Sequence, residues 1–314
     1  EGKPLSVGEF GAQEAHDRRT SGGDGAEDAE SIRRFLWFGH YTLGLGGSFL
    51  CNWSWKDFEG CVFPWGIRYV GDPVSKDVLL AYRAQSLLFR RLQPEYRTPE
   101  LFVLQPDSHR FGPQFGAIEG AMQTAFCALY HAGVPFGVLG EWDLDRLPAS
   151  ARALIWPVPY CPSDETFARV RAFVEAGGAL YVSGDLAFDD RRQPTRGARL
   201  TELGLPEFEH VPPGEAPPAA FDREPFTSQV GQGQVFYVPY PAELRVGDRC
   251  LGLYRGFLAA AGLHPETPSD PPGQVLRIPL AGGGHADVFA HYAARGTVAN
   301  VISPEFSMAL PPLG

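Results

Sequence analysis

Apolar and polar positions alternate in two ways over the first ninety residues. Residues 4–11 and 48–55 each form a short apolar run, and both runs predict buried β-strands. Between them, apolar side chains recur every three or four residues from Ile32 to Tyr41, which predicts one buried helical face. A second helix is predicted at about 75–91. The order strand, helix, strand, helix indicates parallel strands in an α/β sheet or barrel.

A second alternating series begins after Gln93-Pro94-Glu95. The pattern predicts five strands separated by helices, which is typical of a doubly wound α/β unit. Residues 191–220 are rich in Pro, Arg and Glu and are predicted to be an irregular insertion. The predicted strands lie at 101–104, 136–139, 153–156, 179–182 and 233–238, and the predicted helices at 116–131, 167–176 and 251–261.

Short strands with glycine turns follow from residue 274 and predict a small terminal β element. We therefore expect three parts: residues 1–95, 96–265 and 266–314.

The composition limits the kinds of partner. Of the 314 residues, 44% are hydrophobic and 20% are charged, as in ordinary globular proteins. The net charge of -10 at pH 7 argues against nucleic acid or an anionic membrane, because both need clustered Lys and Arg. The sequence also has neither a long apolar segment nor the pattern of a signal peptide. We expect no nucleic acid, no membrane and a small or neutral ligand.

The cysteines are scattered and contain no CxxC pair, so they predict neither a disulfide framework nor a zinc site. A reducing, cytoplasmic location is expected. The five are Cys51, Cys61, Cys127, Cys161 and Cys250.

The residues with the clearest chemistry are a carboxylate and two indoles. Glu9 stands at the end of the first predicted strand, and Trp53 and Trp55 stand at the end of the second. In a parallel barrel the carboxyl ends of successive strands share one face, so these side chains are expected to meet. An indole packs on the apolar face of a sugar ring, while a carboxylate stabilises an oxocarbenium-like centre. The pattern predicts a sugar site.

The same runs resemble a family. KPLSVGEFG at residues 3–11 resembles strand seven of the (β/α)8 retaining glycoside hydrolases of the clan that includes cellulases, mannanases and β-galactosidases. GSFLCNWSW at 47–55 resembles strand eight, and residues 66–83 resemble the following loop and last helix. The resemblance implies that Glu9 is the nucleophile and that Trp53 or Trp55 lines the subsite of the attacked sugar. It implies no metal and no organic cofactor.

The second series is similar to a flavodoxin-like, amidotransferase-related domain that follows the barrel in some β-galactosidases. VEAGGAL at 174–180 and VGQGQVF at 230–236 carry that similarity. Because the domain mediates trimerisation in those enzymes, the resemblance implies a homo-oligomer. The expected fold is thus the last βαβα part of a TIM barrel, then a flavodoxin-like domain and a small β element.

The resemblance also implies a missing group. In this clan the general acid/base is a Glu in an Asn-Glu pair at the end of strand four, and retaining hydrolysis needs two carboxyls about 5–5.5 Å apart. No such strand precedes residue 1. We expect the first six strands to be supplied by upstream sequence or by a companion chain.

Other residues have two interpretations each. His16 can orient substrate or be a solvated loop histidine, and Asp57 and Glu59 can bind sugar hydroxyls or simply face solvent. Cys161 suggests an amidotransferase-type nucleophile, but its neighbours Pro159, Tyr160 and Pro162 do not supply the small-residue turn of such an elbow, which favours a packed or surface thiol.

Three functions follow from these observations. The first is retaining hydrolysis of β-glycosidic bonds with Glu9 as nucleophile. The second is a non-catalytic carbohydrate-binding or assembly module related to glycosidases, and the third is a hydrolase that uses Cys161.

Overall fold

A computed structural model describes most of the chain, which forms two compact units. One unit comprises residues 1–97 and 274–314, and the other comprises residues 98–273. The described residues are 5–10, parts of 32–42, 47–53, 55–56, 66–68, 76–92, 98–109, 112–207, 223–244, 248–265, 269–270, 275–280, 282–289, 299–302 and 307–310.

The first unit contains the expected strand, helix, strand, helix order. Strand β1 (Leu5–Phe10) pairs in parallel with β2 (Gly47–Asn52), and helix α1 (Val78–Leu92) follows. The described positions between 32 and 42 are helical. The parallel pairing confirms the α/β prediction for this part of the chain. The described residues form only this part of a sheet and do not close a barrel.

Apolar side chains from all four segments form the core of this unit. Phe35, Ile67, Val78 and Ala81 are buried. The buried face predicted from Ile32 to Tyr41 is confirmed at Phe35 and is wrong at Phe38, which is 47% exposed. The buried side chain of Gln85 on α1 donates hydrogen bonds to the carbonyls of Phe35 and Leu36, at 3.0 and 2.8 Å. This amide therefore joins α1 to the preceding helical segment through two of its backbone carbonyls.

The carboxy-terminal residues form antiparallel pairs, which confirms short strands in this part of the sequence. Strands β10 (Val275–Pro279) and β11 (His285–Phe289) pair with each other, as do β12 (Ala299–Ile302) and β13 (Ser307–Leu310). Both pairs belong to the first unit by their contacts.

The second unit is built on a six-stranded sheet in the order β4-β3-β5-β6-β8-β7. Five strands are parallel, and β7 is antiparallel to β8. The six strands are β3 (Leu101–Gln105), β4 (Phe136–Gly140), β5 (Ala153–Trp156), β6 (Ala179–Ser183), β7 (Phe226–Val230) and β8 (Gly233–Val238). The two-residue strand β9 (Ser269–Asp270) is not part of this sheet. The helices are α2 (Phe115–Ala132), α3 (Asp164–Glu175), α4 (Arg196–Glu202) and α5 (Asp248–Ala260).

Helices cover both faces of this sheet. Alternate residues of the central strands therefore pack into two hydrophobic cores, one on each face. Leu101 and Val103 of β3 pack on the face that carries α2 and α5. Phe102 and Leu104 pack on the other face with α3. The central strands are mostly apolar, as expected for parallel strands buried on both sides. The predicted doubly wound arrangement is present.

Two elements of this unit were not predicted. Helix α4 lies within the segment expected to be irregular, and the sequence of β7, FTSQV, has too few apolar residues to stand out. Strand β7 lies at the edge of the sheet, where a strand is less buried and can contain more polar residues. It joins β8 through Gly231 and Gln232, and Gly231 has the positive φ of 58° that a tight hairpin requires.

Candidate functional site

The pairing of β1 with β2 fixes the position of Glu9. Val7 lies opposite Leu50 and Phe10 opposite Asn52, with an irregularity in the register between them. Glu9 is therefore the penultimate residue of β1 and lies beside the carboxyl end of β2. Its side chain is exposed, whereas Val7 on the same strand packs against the core of the unit. The carboxylate is accessible to a ligand at the edge where both strands end.

The two tryptophans lie just beyond the second strand. The prediction that the strand continues to Trp55 is wrong, because β2 ends at Asn52 and both indoles follow in bends. Trp53 is 42% exposed and Trp55 is 60% exposed. The Arg68 guanidinium lies 5.9 Å from the centroid of the Trp55 ring and covers one of its faces. Trp53 and Trp55 are thus surface residues rather than core residues.

His16, Asp57 and Glu59 lie outside the described residues. The assignment of His16 and Asp57 to substrate therefore stays a prediction. Among the predicted site residues, the structure brings Glu9 and the two tryptophans to the carboxyl ends of adjacent parallel strands.

A second group of polar residues lies at the carboxyl ends of the strands in the other unit. Glu141 directly follows β4, is almost fully buried and accepts three hydrogen bonds. These come from the backbone N–H of Ser108 at 3.3 Å, the Ser108 hydroxyl at 3.0 Å and the Trp156 indole at 3.0 Å.

Burial raises the pKa of Glu141 to about 7, and the hydrogen bonds from Ser108 and Trp156 offset part of that rise. The sequence interpretation missed this carboxyl. Its position immediately after a predicted strand was the available signal, since that is where functional side chains of parallel sheets lie.

Cys161 lies beside this group. Its thiol is fully buried and contacts the Arg192 guanidinium. Burial raises the pKa of the Cys161 thiol, and the Arg192 charge offsets part of the rise. A raised pKa keeps the thiol protonated near neutral pH, and a protonated thiol is a poor nucleophile. The packed-thiol interpretation therefore fits the geometry.

The backbone before Cys161 turns more sharply than the sequence suggested. Val158 and Tyr160 have φ values of 48° and 47°, although neither is glycine. The turn brings the Val158 N–H to the Ser183 hydroxyl at 3.1 Å. The strained turn is thus tied to the end of β6.

No cluster of three or more His, Cys, Asp or Glu side chains suited to a metal ion occurs within the described ranges. In the same ranges no helix has the length and apolarity needed to cross a membrane.

Comparison with known proteins shows a shared fold with glycosidases. No protein-family profile matches the sequence, and no curated protein sequence does so either. The structure is similar to the β-galactosidase of Bacillus circulans sp. alkalophilus, with a TM-score of 0.67 and 14% identity over 100% of this chain and 55% of the other. The β-galactosidase of Rahnella sp. R3 gives a TM-score of 0.65 and 15% identity, over 100% of this chain and 54% of the other.

An exo-β-1,4-mannosidase from Opitutaceae bacterium strain TAV5 is also similar, with a TM-score of 0.51 and 15% identity over 82% of this chain and 52% of that one. The chain spans about half the length of these solved structures. At such identities the similarity establishes the fold alone, which this chain shares with about half of each of these structures.

Proposed function

We propose that this chain is the carboxy-terminal part of a retaining β-glycosidase and that Glu9 is its nucleophile. The observation that carries the proposal is the parallel pairing of β1 with β2, which brings exposed Glu9 to the edge where Trp53 and Trp55 emerge. The fold shared with β-galactosidases supports it.

In this proposal Glu9 attacks the anomeric carbon and forms a covalent glycosyl-enzyme ester, while a second carboxyl protonates the leaving oxygen. Water then hydrolyses the ester, with the second carboxyl acting as base. The second carboxyl is provided by residues outside this chain, as the match to about half of the related structures suggests. An indole of Trp53 or Trp55 forms the platform under the sugar ring.

The sharpest test detects the ester itself. The protein, in a form that supplies the proposed second carboxyl, is incubated with a 2-deoxy-2-fluoro β-glycoside that carries a good leaving group. Mass spectrometry of peptides should locate the sugar on Glu9. Label on another carboxylate would refute the assignment.

Kinetics of two variants complement the labelling. Glu9→Gln should reduce kcat for an aryl β-galactoside by about 10³-fold or more, as expected for one member of a cooperating catalytic group. In Glu9→Ala, azide should restore turnover and yield the α-glycosyl azide, a product that a purely structural role of Glu9 does not explain. Sugar binding without turnover in the wild-type protein would support the non-catalytic alternative instead.

We also propose that residues 98–273 are a flavodoxin-like assembly domain. The order β4-β3-β5-β6-β8 corresponds to 2-1-3-4-5 in the numbering of the parallel strands, which is the flavodoxin-like order. At the free edge, Val138 of β4 is 48% exposed, and an exposed apolar edge is a suitable contact for another copy. Sedimentation velocity should show an oligomer that Val138→Lys weakens, and a wild-type monomer would contradict the assignment.

A further inference from the structure

The second unit contains a cavity of about 300 Å³ at the carboxyl ends of its parallel strands. Its walls come from the loops after β3, β4, β5 and β6. The lining residues are Asp107, Ser108, Gly112, Trp142, Ser163, Asp190 and Arg192.

The position of this cavity is set by the strand order. The chain leaves β3 toward β4 on one side, whereas it leaves β5 toward β6 on the other. The loops after β3 and β5 therefore diverge and leave a crevice between adjacent strands. Asp107 and Ser108 belong to the first loop and Ser163 to the second. In open α/β sheets this reversal point is where ligands bind.

A larger cavity of about 610 Å³ lies at the opposite edge, around Ala151, Gly178 and Gly233. These residues are at the amino ends of β5, β6 and β8. Small side chains and glutamines form most of its wall, and Arg152 is its single charged lining residue. It lies at the amino ends of the strands, whereas ligands of open α/β sheets bind at the carboxyl ends.

The smaller cavity has walls that are held in place. The Ser163 hydroxyl accepts from the N–H of Thr166 at 3.1 Å and so caps α3. The Ser108 hydroxyl is bound to buried Glu141. Arg192 has a φ of 64°, and its N–H donates to the Asp189 carbonyl at 3.0 Å. Such strained non-glycine residues persist where the surroundings fix them, often at ligand sites.

The glycine at the end of β4 has a specific role in this wall. A Cβ at Gly140 would overlap the Asp107 carboxylate, although the φ of -71° at Gly140 is one that alanine readily adopts. Glycine at this position therefore permits the carboxylate of Asp107 to lie against the strand end.

The charges of the lining residues select among ligand classes. Asp107 and Asp190 carry negative charge and Arg192 carries the single positive charge of the wall. Two carboxylates disfavour a phosphate or carboxylate ligand, and the guanidinium disfavours a bare cation. Carboxylates accept hydrogen bonds from hydroxyls, and a guanidinium donates to hydroxyl or ring oxygens. Such a wall suits a neutral ligand with several hydroxyl groups.

Trp142 supplies the apolar part of the wall. Its side chain lines the cavity and is nevertheless 64% exposed, an unusual state for an indole. An indole that is open to solvent packs on the apolar C–H face of a sugar ring. The volume lies at the lower end of the roughly 300–1,000 Å³ found for ligand pockets, so one ring fits and a longer oligosaccharide does not.

From this geometry we infer that the cavity binds one neutral monosaccharide, with Trp142 as its platform and Asp107, Asp190 and Arg192 as its hydrogen-bonding partners. This site belongs to the second unit and does not depend on Glu9 or on the proposed hydrolase function.

Titration calorimetry and saturation-transfer NMR on the intact protein test the inference with D-galactose, D-glucose and D-mannose as probes. We expect saturable binding of at least one sugar with a Kd of about 1–10 mM, which is typical of so small an interface. Trp142→Ala should weaken this binding at least about tenfold, whereas Trp142→Phe should retain most of it. Trp142 is largely exposed, so neither change should unfold the protein.

A second variant tests the wall itself. Gly140→Ala should displace the Asp107 carboxylate and weaken binding several-fold with little change in melting temperature. Phe226→Ala is the matched control, because it removes an exposed aromatic side chain from the opposite edge of the sheet and should leave binding unchanged.

The double variant Glu9→Gln/Trp53→Ala separates the two sites. Binding that survives this change but is lost in Trp142→Ala assigns the sugar to the second unit. The inference is overturned if Trp142→Ala binds as the wild type does, if only the double variant loses binding, or if none of the three sugars binds at about 50 mM. Preferential binding of inorganic phosphate would overturn the choice of ligand.

Discussion

The indole Nε1 of Trp156 donates a 3.0 Å hydrogen bond to Oε1 of Glu141, and both side chains are buried at the carboxyl ends of β5 and β4, the strands on either side of β3. The indole and Ser108 together satisfy the carboxyl group, but water does not reach it. Burial therefore dominates, and the pKa of Glu141 rises from 4.5 to about 7.

This shift predicts how stability depends on pH. Between about pH 4.5 and 7 the folded protein keeps a proton on Glu141 that the unfolded chain has already lost, so the free energy of unfolding falls as pH rises and then levels off. The full effect is roughly 3 kcal/mol.

Glu141→Gln should remove this contribution. Urea unfolding gives the free energy of unfolding of both proteins between pH 4 and 8. The difference between the variant and the wild type should shift by roughly 3 kcal/mol in favour of the variant from pH 4 to pH 8. Parallel curves for the two proteins would show that Glu141 does not titrate in this window.

Close backbone packing predicts a second effect, at Gly233. A Cβ at this position would overlap the carbonyl oxygens of Val174 and Gly178, and backbone atoms cannot move aside as side chains can. Gly233→Ala should therefore destabilise the protein by about 2–3 kcal/mol, as overpacking does. Gly256→Ala, in the exposed middle of α5 with no atom in the way, should instead stabilise it by about 0.5–1 kcal/mol. Denaturant titration of the two variants measures the change in the free energy of unfolding of each. Equal changes in the two variants would contradict the prediction.

The ion pair between Arg199 and Asp164 joins a buried partner to an exposed one. The Arg199 side chain is 3% exposed and that of Asp164 is 81% exposed, with 2.8 Å between them. The guanidinium also donates to the carbonyls of Phe188 and Pro162, at 2.8 and 2.9 Å. Removal of Arg199 therefore leaves two acceptors without their donor, whereas removal of Asp164 leaves Arg199 with both carbonyls.

We expect Arg199→Met to cost about 3 kcal/mol and Asp164→Asn less than about 1 kcal/mol. Thermal unfolding of the two variants gives the comparison. A larger loss from Asp164→Asn would mean that the charge pair, rather than the carbonyl contacts, holds Arg199.

The two exposed tryptophans should differ in a glycosidase assay. One face of Trp55 is covered by the Arg68 guanidinium, whereas Trp53 directly follows β2 and lies nearest the strand end. Trp53→Ala should lower kcat/KM for an aryl β-glycoside about tenfold or more, and Trp55→Ala by a smaller factor. The assay needs a form of the protein that supplies the second carboxyl of the proposed mechanism. Equal losses would show that both indoles touch the sugar.

The alternation of apolar runs was sufficient to predict most of the second unit. Strands Ala153–Trp156 and Gly233–Val238 have the predicted bounds, because strands buried on both faces are mostly apolar and so stand out in the sequence. Strand β7 escaped prediction because an edge strand needs no such run. Trp53 and Trp55 were placed within a strand because indoles resemble core residues in sequence, and their exposure depends on where β2 ends.

The candidate sites divide in the same way. The sequence alone indicated Glu9 and the tryptophans, because a carboxylate and indoles after successive strands form a local pattern. It did not indicate Glu141, Trp142 or the turn before Cys161. Burial raises the pKa of Glu141, and its hydrogen-bond donors Ser108 and Trp156 come from distant parts of the chain, one after β3 and one at the end of β5.

The amino-acid order of this protein thus determined most of its strands and helices and the parallel pairing of its central strands, since these follow from the period of hydrophobic residues. Only the tertiary structure decided which polar side chains are buried away from water and which line a cavity. Desolvation and cavity shape depend on residues far apart in the chain, so no local pattern encodes them.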